Sequence, residues 1–186
     1  MTRLLKNRLA LATVITTLII LVVSILLASV LTYFAINVVS TRVQEESLYV
    51  SKQHIWVDST GVAEAAVMVT NNGGRDVVIN QVTVRGQQSP WGNVFYAVAA
   101  KGEDLTTDLQ YVTAPVIATN NLGLTDTAHL ATTDLILPSG STMVLYVNSP
   151  DSIGLNDVGL TVSIALHSAQ AVYYCEVNIQ AAPPAA

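Results

Sequence analysis

The chain has 186 residues, 51% of them hydrophobic and only 11% charged. Arg3, Lys6 and Arg8 are the only charges before residue 41, and the remainder holds five basic against thirteen acidic residues, a balance of −8. A domain of that charge, with Arg42, Lys52, Arg75, Arg85 and Lys101 scattered through it, has no way to meet a phosphate backbone, which excludes nucleic acid as a partner. A single cysteine, Cys175, excludes an intrachain disulfide and any zinc site built on several cysteines.

From Leu9 to Thr41 run 33 residues without a formal charge, rich in Leu, Ile and Val and free of Pro and Gly. As one helix they would extend about 50 Å at roughly 1.5 Å per residue, whereas a bilayer core is about 30 Å thick. In hydrocarbon the backbone must satisfy its own hydrogen bonds, so helix is the state expected. The basic head before the run places the N-terminus in the cytoplasm and the acidic remainder outside. A cleaved secretory signal peptide fits less well, because its apolar core is usually ~7–15 residues. A small-x-small cleavage site is also missing: Leu26 precedes Ala28 and Tyr33 precedes Ala35 at the −3 position.

Within the run, Thr17, Ser24, Ala28, Thr32 and Ala35 follow at spacings that put them on one helix face. Small residues on one face let helices approach closely in lipid, so this face is the candidate for packing against copies of the same helix. Arg42 with Glu45 and Glu46 at i+3 and i+4 extends the predicted helix to Ser47. No Gly-, Ser- or Pro-rich spacer follows. The expected division is therefore a helical part over 1–47 and a second domain over 48–186.

From Tyr49 the pattern changes to alternation. Strands are predicted at Tyr49–Val57, Val62–Thr70, Val77–Arg85, Val94–Ala99, Leu109–Ala118, Thr133–Leu137, Thr142–Asn148, Gly159–His167 and Val172–Ile179. Asn71-Asn72-Gly73-Gly74 reads as a hairpin turn whose residues accept positive φ. Pro138-Ser139-Gly140 and Ala169-Gln170 mark further turns, and Lys101–Asp108 reads as a loop or helical turn. The fold class is thus α+β: a long hydrophobic N-terminal helix followed by an all-β, immunoglobulin-like sandwich.

No motif for catalysis or for a cofactor stands out, and the chain reads as a non-enzyme. His54, His129 and His167 are isolated, with no H-x-x-x-H or H-x-H pair, and no metal site is expected from them. Glu103, Asp104 and Asp108 lack the one-three-five oxygen spacing of a calcium loop. There is no phosphate loop, G-x-S-x-G or N-x-[ST] sequon. Cys175 falls in register with Tyr173, Val177 and Ile179 and is expected to be a small buried hydrophobe. Of the aromatic residues, Trp56 is expected in the core, and Trp91, following Pro90, is the candidate contact residue of the head.

The order of parts resembles the archaeal type IV pilin and archaellin superfamily. The residues that carry the likeness are the basic head ending Lys6-Asn7-Arg8, the uncharged helix beginning Leu9-Ala10-Leu11-Ala12-Thr13-Val14-Ile15, and the segments Val67–Gly74, Val77–Ile79, Leu137–Thr142 and Val172–Tyr174. The resemblance implies a prepilin with a class III signal peptide. Its basic head would be removed by a prepilin peptidase in the region Arg8, Leu9 and Ala10, where Leu9 departs from the small residue usual after the cut. It further implies a subunit that sits in membrane lipid before assembly. With the pilus assembly machinery it then joins a self-polymerised surface filament whose helices bundle inside β-sandwich heads. The glutamate found early in bacterial pilin helices is absent here. The other reading open on the sequence is a single-pass, membrane-anchored extracellular β-domain that acts as a binding, envelope or pilus-accessory protein without polymerising.

Overall fold

The computed structural model describes residues 2–43, 45–99, 103, 105–112, 124 and 128–183, with backbone alone for 2–10 and 42–43. Its contacts divide the chain into two units, Met1–Val43 and Gln44–Ala186.

The first unit is one α-helix, α1 (Thr2–Val43). Its stretch Leu11–Thr41 is long and apolar enough, by length and composition, to cross a membrane. The described side chains from Leu11 to Thr41 are all exposed, the large apolar ones by 44–72%. A helix apolar on every side has no single stripe to bury, which is the pattern of a segment surrounded by lipid or by other helices. The helix stops at Val43, short of the predicted Ser47. Glu45–Ser47, already within the second unit, is irregular because its groups bond to other parts of that unit. The Glu46 side chain is buried, its Oε2 accepts a hydrogen bond from Ser168 Oγ at 2.8 Å, and Arg75 lies 4.0 Å from its Oε1. The Ser47 carbonyl accepts from Asn72 N–H at 2.8 Å. A carboxylate engaged from elsewhere in the fold no longer supports the i, i+4 helix pair that the sequence suggested.

The second unit is a β-domain, so the α+β class expected from the sequence describes the chain. Its strands among the described residues are β1 (Leu48–Val57), β2 (Ala63–Asn71), β3 (Val77–Val84), β4 (Gln87–Gln88), β5 (Val94–Ala99), β6 (His129–Leu130), β7 (Leu135–Leu137), β8 (Thr142–Asn148), β9 (Thr161–Ser168) and β10 (Val172–Ala181). They run in the order β4-β3-β9-β10-β1-β2-β8-β5-β6, with β7 on β3. Every pairing is antiparallel except β1 with β10, where Ile55–Val57 lie beside Ile179–Ala181. That parallel joint divides the ladder into a β1-β2-β8-β5-β6 half and a β10-β9-β3-β4-β7 half. The main core lies between the halves: Ile55, Val67, Met143 and Leu145 from one meet Ile79, Leu137, Ile164 and Leu166 from the other. Leu109–Ala118 was expected as a strand. Its described part, Leu109–Val112, is not one, and 113–118 lie outside the described residues.

Asn71–Gly74, expected as a hairpin turn, instead joins strands that do not pair, since β2 bonds to β1 and β8 and β3 bonds to β4, β7 and β9. The buried Asn71 amide donates to the carbonyls of Arg75 (2.8 Å) and Leu137 (3.0 Å), and its Oδ1 accepts from Gly73 N–H (2.9 Å). Among the described residues, the left-handed glycines of the head are Gly61, Gly86, Gly140 and Gly159, not Gly73. Gly73 is required for close approach instead, since a Cβ there would stand 2.7 Å from the Glu45 carbonyl oxygen and 2.9 Å from Ser47 N.

Candidate functional site

Two surfaces carry features that packing alone does not explain. The first is α1. At about 100° per residue, Thr17, Ser24, Ala28, Thr32 and Ala35 fall within roughly 80° of arc, and all five are exposed. The hydroxyls there are satisfied locally: Thr17 donates to the Val14 carbonyl (2.9 Å), Ser24 to Ile20 (2.7 Å) and Thr32 to Ala28 (2.8 Å). Thr16, Ser29 and Thr41 bond back to their own i−4 carbonyls in the same way. A hydroxyl bonded back to its own helix asks nothing of its surroundings, so these residues add smallness to the face without an unmet donor. The backbone of Arg8, Leu9 and Ala10 is helical, and their side chains lie outside the described residues.

The second is the outer face of the β1-β2-β8-β5 sheet. Trp56, Ala66, Ala97, Val144 and Tyr146 form a second apolar cluster there, closed over by Leu109, Leu124 and Tyr111. This is why β2 is buried on both faces over Ala63–Val67. It also puts Trp56 in a core, though not the one between the sheets. The covering segment, residues 105–112, lies across the sheet without joining its ladder. Lys52 Nζ donates to the carbonyls of Leu105 (2.5 Å) and Thr107 (2.6 Å). Lys52 has φ of 49°, in a strand whose register shifts between Ser51 and His54, and that irregularity sets it out of the alternation. His54 Nε2 meets Asp108 Oδ1 at 3.0 Å while its ring stacks on Trp56, centroids 5.0 Å apart. Tyr146 donates its hydroxyl proton to the Gln110 carbonyl at 2.9 Å. Glu64 Oε1 accepts from Val112 N–H at 3.0 Å.

Glu64 is the residue that sequence reasoning missed. It is 6% exposed, beside Trp56 on β1 and Asn148 on β8. Burial pushes its carboxyl up to about 7, and the single Val112 N–H only partly opposes this. Its signal in the sequence was a lone carboxyl in the run Val62–Val69, otherwise wholly Ala, Val and Met. Around it, burial and then the nearby Glu64 charge push the Tyr146 hydroxyl up, and burial raises Tyr111. For Asp108, partial desolvation works against the charge. The His54 hydrogen bond and the His54 and Lys52 charges outweigh it and hold the carboxyl below its usual range.

The other predicted residues are dispersed. His129 packs against Tyr96, ring centroids 5.8 Å apart, and His167 is half-buried in β9. Among the described residues no three His, Cys, Asp or Glu side chains gather as a metal-binding group. Of the acidic group, Asp108 is used by His54, and Asp104 lies outside the described residues. Cys175, expected to be buried, is half-buried against the main core. Burial pushes its thiol up despite the Ile164 carbonyl at 3.7 Å, the opposite of what a reactive thiolate requires. Trp91 sits in a short 3-10 turn (Trp91–Asn93) and is half-buried against the main core, so the head contact assigned to it has less free surface than its place after Pro90 suggested. No family model matches the chain, and no curated protein matches it.

Proposed function

We propose that this protein is a structural subunit of a type IV pilus-like surface filament of the archaeal kind, assembling with copies of itself through α1. The observation that carries the reading is the character of α1. Leu11–Thr41 is 31 residues of uncharged helix, about 46 Å at roughly 1.5 Å per residue, against the ~30 Å of hydrocarbon that a single crossing requires. The surplus of about ten residues is more than a single crossing requires. In a fibre it lengthens a continuous apolar core. Before assembly the helix resides in lipid with Arg3, Lys6 and Arg8 on the cytoplasmic side and the acidic β-domain outside. On assembly, lipid contacts are exchanged for helix–helix contacts along the Thr17–Ala35 face, and no charge has to be buried. Removal of the basic head in the Arg8–Ala10 region by a prepilin peptidase would precede the exchange.

Mass spectrometry of the mature N-terminus, with electron microscopy of material sheared from the cell surface, tests the reading. A chain lacking its first eight to ten residues, recovered in filaments, is the expected result. An intact basic head in a protein found only in the membrane fraction would overturn it, leaving a fixed single-pass anchor for an extracellular β-domain.

A further inference from the structure

The 105–112 segment is fastened unlike any other part of the head. Among the described residues its bonds to the sheet all run through side chains: Lys52 to two carbonyls, His54 to Asp108, Tyr146 to the Gln110 carbonyl and Glu64 to Val112 N–H. Each of these four fastenings uses a titratable side chain. The segment's Leu109, 4% exposed, packs in one apolar cluster with Trp56 of the sheet, 6% exposed. Lys52 and His54 are partly open to solvent, whereas Tyr146, 4% exposed, and Glu64, 6% exposed, are buried. The titratable groups around it are His54 and Lys52 on β1, Asp58 just after β1, Tyr146 on β8, and Asp108 and Tyr111 on the segment itself. Lys52 is occupied by the Leu105 and Thr107 carbonyls and His54 by Asp108. Among the described residues no cation bonds to Glu64, so when it ionises its charge is stabilised only by the Val112 N–H.

We propose that residues 105–112 form a strap whose closure over the outer face of the sheet depends on the protonation of Glu64, closed while the carboxyl is neutral and released as it ionises. A neutral carboxyl still accepts from Val112 N–H and tolerates the apolar cluster. A carboxylate in the same place seeks water, and the way to reach it is for the strap to lift, baring Trp56 and Tyr146. The direction follows from linkage. The closed form holds the proton up to about pH 7, whereas a solvated glutamate releases it near 4.5. Closure is therefore fully supported below about 4.5 and weakens as pH rises through the closed-form value. The opening constant should rise about tenfold per pH unit between the two values, some 300-fold in total, and then level off.

Hydrogen exchange of the full chain in detergent micelles, read at 105–112 and corrected for the intrinsic pH dependence of exchange, measures that constant. The expected result is the rise and plateau in the wild type and a flat profile in Glu64→Gln, whose amide oxygen keeps the Val112 bond without a charge. Amides of the β9–β10 ladder should remain flat in both proteins. Identical profiles in wild type and Glu64→Gln, or the same rise in β9 and β10, would overturn the proposal. The Glu64 carboxyl carbon shift, followed by NMR in the wild type, gives a second reading that needs no variant: a midpoint near 7 supports the strap, and one near 4.5 sinks it.

Discussion

The helix and the β-domain are built from the same Leu, Ile, Val and Ala, and they dispose of them in opposite ways. In α1 the apolar side chains point in every direction, and the hydroxyls of Thr16, Thr17, Ser24, Ser29, Thr32 and Thr41 are bonded to their own backbone. In the head, apolar residues alternate, and what they face is supplied by distant parts of the chain, as when Leu145 meets the core shared with Ile79 and Ile164. One region therefore satisfies its hydrogen bonds within itself and leaves its apolar surface exposed. The other buries its apolar surface in cores built from strands distant in sequence. Substitutions of similar size should have separable consequences in the two.

The largest effect is expected for a charge at the middle of the span. Leu26→Arg would cost about 3–4 kcal/mol at the centre of a membrane helix. The remaining apolar length is enough to keep the protein in the membrane fraction, because the arginine can reach toward the interface or draw water in. A packed fibre core permits neither escape. Retention in membranes with loss of filaments is expected, scored by carbonate extraction and electron microscopy. Filaments at wild-type yield would mean that the centre of α1 is not buried in a fibre. Head stability should not change.

The converse experiment acts on the head alone. Leu145 is 0% exposed between the two halves of the sheet, and Leu145→Ala should destabilise the domain by about 2–5 kcal/mol in denaturant titrations, depending on how far the cavity collapses. Membrane insertion of α1 should be unaffected. A loss of insertion in this variant would break the comparison, since it would tie the helix to the fold of the head. A smaller effect of the same kind is expected at Gly73. There a methyl group meets backbone on two sides, and Gly73→Ala should lower head stability by about 1–3 kcal/mol. Gly92, with nothing within 4 Å of an added Cβ and no left-handed φ, is the control, and Gly92→Ala should stay within ~0.5 kcal/mol.

How much of this was legible in the sequence divides along the same line. The helix was legible because its pattern depends on solvent and not on tertiary partners. Its end was misplaced because Arg42, Glu45 and Glu46 have helical spacing, yet Glu46 is taken by Ser168 and Arg75. Strands with one buried face, such as β9, were read closely from Val162, Ile164 and Leu166. The two-residue strands β4 and β6 are too short to show a period. The strap was read as part of a strand because Leu109, Tyr111 and their neighbours alternate. Alternation reports one covered side and does not say whether hydrogen bonds run along the edge. Glu64 was passed over for the same reason: its burial is created by the strap, a contact that local pattern does not contain.

The smallest effect on the folded chain, and the one that bears most directly on assembly, is expected on the small-residue face of α1. Ala28 is exposed on the helix, so Ala28→Leu should leave head stability within ~0.5 kcal/mol and raise the apolar character of the span. If copies of the helix meet along Thr17, Ser24, Ala28, Thr32 and Ala35, three added carbons must be housed where backbones approach, a penalty of about 1–3 kcal/mol at each packed contact. Along a fibre that penalty repeats with every subunit, so filament yield in sheared fractions should fall while monomer in the membrane stays constant. Ala12→Leu separates this from a general effect of bulk. At about 100° per residue Ala12 lies on the far side of the helix from the Thr17–Ala35 face, and the same substitution there should leave assembly as it was. If both variants assembled equally well, the face would have no part in packing. If both failed equally, the helix would be buried all round, and smallness on one side would not be what sets its neighbours.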